Sequence, residues 1–158
     1  MTVAISFKNV GTIKEIGSTY AEQNRSLVPI GVKTPLILDS STNNIFAMHT
    51  DVRAQVADNL RNLVQTNWGE RLALTDYGAN LSPLVTEFSS KQTFDQEAIV
   101  RINTAVEKWM PFLELIDYES TPDFEDNEFV GKIKIQVSYG IPTIGVTRDV
   151  VEVSLFVI

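Results

Sequence analysis

Apolar residues recur at helical spacing in two stretches of this chain and alternate with polar ones in two others. Val52, Val56, Leu60, Leu63 and Val64 fall on one broad face at about 100° per residue, which predicts a helix beginning at Thr50 or Asp51. Either residue can cap the first turn and favour its positive dipole end. Gln55, Asp58, Arg61 and Asn62 cover the other side, with Arg53 on the margin. Asn59 points into the apolar face and predicts an amide bonded to nearby backbone, with a polar contact to a partner as the alternative. Ser82 to Phe88 reads as a short helical turn with Pro83 at its first position, where a missing N–H costs little. Thr93 with Gln96 resembles a capping box for a third helix running to about Trp109. Ile99, Ile102, Val106 and Trp109 share its buried face, and Pro111 ends it.

The period then changes to two. Ile133, Ile135 and Val137 alternate with Lys132, Lys134, Gln136 and Ser138, which predicts a strand over Val130 to Tyr139. Leu113 to Tyr118 is a second strand, joined to it by an acidic loop from Glu119 to Glu128. After a turn containing Gly140, Pro142 and Gly145, a final strand runs from Arg148 to Ile158, with Val151, Val153, Leu155 and Val157 on one face. The expected fold is α+β: two main helices packed on a small antiparallel sheet over residues 45–158. Residues 1–44 show no sustained period and are broken by Gly11, Gly17, Pro29, Gly31 and Pro35, so they read as an extended N-terminal arm or partner-binding segment. Its scattered apolar residues, among them Ile30, Val32, Leu36, Ile37 and Leu38, must pack on this chain or on a neighbour. Asp39 to Asn44 forms a polar turn.

Between the first two helical segments lies the most unusual block, Asn67 to Leu84. The helix pattern stops at Gly69, where positive φ is cheap, and Tyr77-Gly78 marks a turn. Trp68 and Tyr77 supply large amphipathic surfaces suited to gripping another protein. For Trp68 an interface and a core role stand even, whereas Trp109 completes an apolar face and is expected in the core. Glu70 beside Arg71 predicts a local ion pair or a partner contact. Arg71 could also bond carbonyls at the preceding helix end or reach a partner carboxylate, the first being favoured. Asp76 is a common turn former.

Composition narrows the chemistry. The 158 residues include no cysteine and one histidine, His49, so thiolate and multi-His metal sites are excluded and no cofactor is expected. A formal charge of −7 without a basic stripe argues against nucleic acid. No apolar run is long enough to cross a membrane, and the first residues lack the basic region and cleavage site of a secretory signal. No Gly-x-Ser-x-Gly or phosphate-binding glycine loop occurs. Asp123, Glu125, Asp126 and Glu128 lack the spacing of a calcium loop and read as a solvated surface. Acid–base catalysis needs two carboxylates in contrasting environments, and no pair stands out. Towards its end the last strand becomes apolar on both faces. A bare apolar edge is an aggregation hazard, so this strand is either central in its own sheet or pairs with a partner by β-augmentation.

Several of these pieces occur in a recognisable order. Leu60, Leu63 and Val64 lead into Thr66-Asn67-Trp68-Gly69-Glu70-Arg71, then Asp76-Tyr77-Gly78-Ala79-Asn80-Leu81 and Leu84. The helix Ile99 to Val106 and the strands follow. In this order residues 45–158 resemble the baseplate wedge protein that initiates the sheath in contractile phage tails, with relatives in type VI secretion baseplates, a family often labelled lysozyme-like. The resemblance implies a structural virion protein without enzymatic activity. It would meet other wedge proteins, with tube or hub proteins as further candidates, and its C-terminal strands would template the first ring of tail sheath subunits. The interface residues it suggests are Trp68, Gly69, Glu70, Arg71, Tyr77, Gly78, Val151, Val153, Leu155 and Val157. Where members of this family commonly carry Glu-Pro-Arg, this chain reads Met110-Pro111-Phe112, so docking there would be apolar. The rival reading is a muramidase-like hydrolase using Glu70 and Asp76; a small adaptor unrelated to tails is a third.

Overall fold

The computed structural model describes residues 28–39, 45–87, 91–125 and 128–156. The chain divides into two compact units, Met1–Gln55 and Val56–Ile158. In the first, two-residue strands β1 (Gly31–Val32) and β2 (Met48–His49) pair antiparallel, and Leu38 bridges Phe46. Backbone bonds on either side, Lys33 N–H to Ala47 O at 2.9 Å and Ala47 N–H to Ile37 O at 2.8 Å, extend the ladder. These strands have no periodic pattern because backbone pairing alone defines them. Most of the predicted polar turn, and the arm before residue 28, lie outside the described residues.

Helix α1 (Val52–Gln65) opens as its sequence suggests, with Asp51 Oδ1 accepting from the Arg53 N–H at 3.2 Å. Its buried face holds Val56, Leu60, Leu63 and Val64 as predicted, while Val52 is exposed. Asp58 is buried and ion-paired to Arg61, while Asn59 is exposed. An i,i+3 partner makes the burial of the carboxylate tolerable. Helix α2 (Ser82–Thr86) carries Pro83 in its first turn, as expected. Helix α3 (Lys91–Trp109) begins two residues before Thr93, so the Thr93/Gln96 pair sits inside the helix and is not its start. Ile102 and Val106 are buried on its inner face, Trp109 is half-buried, and Ile99 is exposed.

Strands β3 (Glu114–Glu125), β4 (Glu128–Ile141) and β5 (Val146–Phe156) form an antiparallel sheet in the order β3-β4-β5. The predicted acidic loop is therefore largely strand. Glu119 pairs with Gln136, Ser120 with Ile135 and Thr121 with Lys134, because the long alternating β4 offers a complete ladder that outweighs the poor strand propensity of its acidic neighbour. Ile133, Ile135, Val137 and Tyr139 point inward, opposite Leu155, Val153, Val151 and Asp149 of β5. The inner face packs with Leu60, Leu63, Leu81, Val85 and Ile102 in one core, which makes the α+β architecture.

Tyr139 is fully buried, and its hydroxyl donates to Asp149 Oδ2 at 3.3 Å. Burial, and then the Asp149 charge, push its pKa up to about 12. The fold therefore favours the neutral phenol. That contribution is intact below the ordinary tyrosine pKa of about 10 and is lost as pH rises from there through the folded value. Thermal melts across this window should show a steeper loss of stability for the native chain than for Tyr139→Phe. Tyr118, raised in the same direction mainly by burial, keeps part of the slope in the variant.

Candidate partner interface

The Asn67–Leu84 block is a loop that leaves α1 and returns to cap it. Helix α1 ends at Gln65, earlier than Gly69, and its last turn leaves carbonyls without intrahelical partners. The returning limb supplies donors: Ala79 N–H bonds Leu63 O at 3.0 Å and Asn80 N–H bonds Thr66 O at 3.2 Å. This brings two backbones into contact at Gly78, where φ is 110° and a Cβ would stand 2.1 Å from Thr66 O. Only glycine fits there. Gly69, with φ 86°, also uses the left-handed region but faces open space.

Side chains lock the same geometry. Asn67 accepts from Ser82 N–H at 3.1 Å and donates through Nδ2 to Glu70 Oε1 at 2.8 Å. The Trp68 indole donates to Gly78 O at 3.0 Å, spanning the loop, yet its side chain remains 59 % exposed. Helix α3 clamps the returning limb: Arg101 donates to Asn80 O at 2.6 Å and Lys108 pairs with Asp76. Arg71 stacks 3.8 Å over the Tyr77 ring, which in turn meets Trp109 at 5.2 Å. The expected Glu70–Arg71 ion pair is replaced by Glu70 bonding Asn67 through both N–H and Nδ2. These bonds hold the Glu70 carboxyl below its usual range, and the hydrogen bond from Lys108 does the same for Asp76.

The result is a braced loop with an apolar tip. Leu72 is 98 % exposed, and Leu74 is exposed beside it. Neither stood out from the sequence, because a short apolar run does not say which of its leucines is uncovered. Beside the loop, Trp68, Pro83, Thr86 and Phe156 line a groove of about 470 Å³. Phe156, 57 % exposed, is the last residue of β5, so the groove opens where that strand ends.

Residues suggested for β5 and for the end of α3 sort into two kinds. Val151, Val153 and Leu155 are buried in the chain's own core, so their side chains are turned away from any partner. What β5 presents outward is Val150, Glu152 and Phe156, together with its free backbone edge; among the described residues no strand pairs with that edge. Val157 lies outside the described residues. Met110 is buried, whereas Pro111 and Phe112 are exposed. In the first unit Val28, Ile30, Leu36, Ile37, Leu38 and Ile45 are all exposed. So many uncovered apolar side chains in one short stretch suit an interface better than a free surface. Among the described residues no cluster of acidic or imidazole groups could hold a metal, and no helix is long and apolar enough to cross a membrane.

No family model matches this sequence, and neither does any curated protein. Solved structures do share its fold over most of the chain. A crystal structure of a Geobacter sulfurreducens protein provisionally described as a tail lysozyme is similar over 71 % of this chain and 96 % of its own, with TM-score 0.56 and 19 % identity. A chain in the cryo-EM structure of the anti-feeding prophage baseplate is similar over 75 % of this chain and 88 % of its own, with TM-score 0.58 and 19 % identity. At that identity the likeness is one of fold, and it extends over most of each chain.

Proposed function

We propose that this chain is a structural component of a contractile-tail baseplate, where it joins wedge proteins and templates the first sheath ring through the free edge of β5. The observation that carries this reading is the outer edge of β5, with which no strand pairs among the described residues, on a fold shared with an anti-feeding prophage baseplate chain. An added strand would take its affinity from backbone hydrogen bonds and its register from side-chain alternation. The braced loop tip at Leu72 and Leu74, the exposed Pro111-Phe112 pair and the apolar segment before Phe46 would meet other baseplate proteins. We take residues 1–44 as the partner-binding arm. Assembly would begin in the host cytoplasm and leave the chain in the virion tail.

A lytic role is the second reading, favoured by the description of the Geobacter sulfurreducens protein. Its chemistry requires one carboxyl with a raised pKa to protonate the leaving oxygen. Glu70 and Asp76 are both shifted the other way by their hydrogen bonds. Complementation of tails lacking this chain separates the two. Glu70→Gln should restore sheathed particles as fully as the native protein, and neither should degrade purified peptidoglycan. Peptidoglycan cleavage that Glu70→Gln abolishes would instead establish the lytic reading.

A further inference from the structure

The tip of the Asn67–Leu84 loop holds a cation whose hydrogen bonds are uncommitted. Arg71 is exposed and stacks over the Tyr77 ring, and among the described residues no carboxylate or carbonyl accepts from its guanidinium. The partners that the sequence suggested are taken. Carbonyls at the end of α1 receive other donors, Leu63 O from Ala79 N–H and Thr66 O from Asn80 N–H. The neighbouring carboxylates are occupied as well, Glu70 by Asn67 N–H and Nδ2, and Asp76 by Lys108. Stacking restrains the side chain through its flat face and leaves the N–H edge open to a bidentate acceptor.

The backbone beside it is shaped to present apolar surface. Gly69 N–H bonds Thr75 O at 2.7 Å and closes residues 70–74 into a tip, with Leu74 N–H bonding Arg71 O at 3.3 Å inside it. Ala73 sits in the left-handed region with φ 66°, an unfavourable conformation for a residue that has a Cβ. Strain of that kind persists where the surrounding structure imposes it, and it clusters at functional sites. Here Leu72 stands clear of the chain on one side of Ala73, next to Arg71, and Leu74 is uncovered on the other.

An exposed ion pair contributes little in water, so a lone carboxylate would gain little from Arg71. Covering Leu72 and Leu74 excludes water from such a pair and strengthens it. We infer that the tip docks a segment of a partner protein in which an aspartate or glutamate side chain stands beside a large apolar residue. The carboxylate takes the Arg71 N–H groups, and the apolar residue covers Leu72 and Leu74. A basic segment would set like charge against Arg71, and a wholly apolar one would bury its N–H edge without an acceptor. The inference rests on the reading of this tip as a baseplate contact and names the chemistry of what it meets.

Titration of the full-length protein with two peptides tests this, followed through leucine methyl and arginine Nε–H NMR signals. Each peptide carries a central Leu-Phe pair, flanked by glutamates in one and by glutamines in the other. These titrations read the tip alone, whereas tail complementation reads the baseplate role, so either can fail without the other. The glutamate peptide should shift the Leu72, Leu74 and Arg71 signals, and the glutamine peptide should bind about tenfold more weakly. The formal charge of −7 works against the glutamate peptide, so a preference for it isolates Arg71 from the general field. Arg71→Gln should bind the two peptides alike while signals outside the loop stay native, and Arg71→Lys, which keeps the charge without the fork, should retain only part of the preference. Equal affinity of the native chain for both peptides, a preference that survives Arg71→Gln, shifts centred elsewhere, or no shift at all would overturn the assignment.

Discussion

Replacing Gly78 by alanine is expected to destabilise the second unit by about 2–4 kcal/mol. Two penalties combine at this residue. A Cβ would lie 2.1 Å from Thr66 O, a backbone atom that cannot swing aside, and φ is 110°, which alanine rarely adopts. Relief requires the two limbs of the loop to part. That would break the bonds from Ala79 to Leu63 and from Asn80 to Thr66, which cap α1. Gly69→Ala provides the control, since φ is 86° there but nothing lies within 4 Å of the added carbon. It should cost about 1 kcal/mol, the conformational term alone. Denaturant titrations of the two variants against the native chain measure the difference. Equal losses would mean that the return limb does not depend on close approach at Gly78.

The second large effect concerns the edge of β5. Deleting residues 150–158 would be uninformative, because it removes Val151, Val153 and Leu155 from the core and unfolds the sheet. Outward residues avoid that difficulty. Val150 is 50 % exposed, and Phe156 stands opposite Lys132 on β4. The double substitution Val150→Lys with Phe156→Asp should leave the fold within about 1 kcal/mol of native, as surface changes usually do. It places charges beside the edge that a joining strand must cover, at about 2–5 kcal/mol for one buried without a partner, a cost that Lys132 partly offsets at position 156. Particles assembled with this variant should carry baseplates but no sheath. Sheaths at native frequency would remove β5 from the nucleation step.

Much of this was legible because hydrophobic period reports on burial directly. Ile133, Ile135 and Val137 alternate without exception, and the structure buries all three. The errors came where partners decide. Glu119 to Glu125 reads as loop until β4 is known to lie beside it, since pairing is a tertiary property. Asp58 looks like a surface residue until Arg61 is placed against it. Within the candidate interface, the glycines and Trp68 announced a shaped loop, and Gly78 proved to be where the shape is fixed. Leu72 could not be identified from sequence, because an exposed leucine and a buried one have the same letter. For Val151, Val153 and Leu155, alternation fixed a shared face, but only the core beneath β5 showed that this face is turned away from partners.

The most direct test is a cryo-EM reconstruction of the assembled particle, read at β5. A strand from a sheath subunit is expected there, hydrogen-bonded along the outer edge of Val146–Phe156 and continuing the β3-β4-β5 sheet by one member. An outer edge of β5 that faces solvent, or that is covered by a chain other than the sheath, would contradict it.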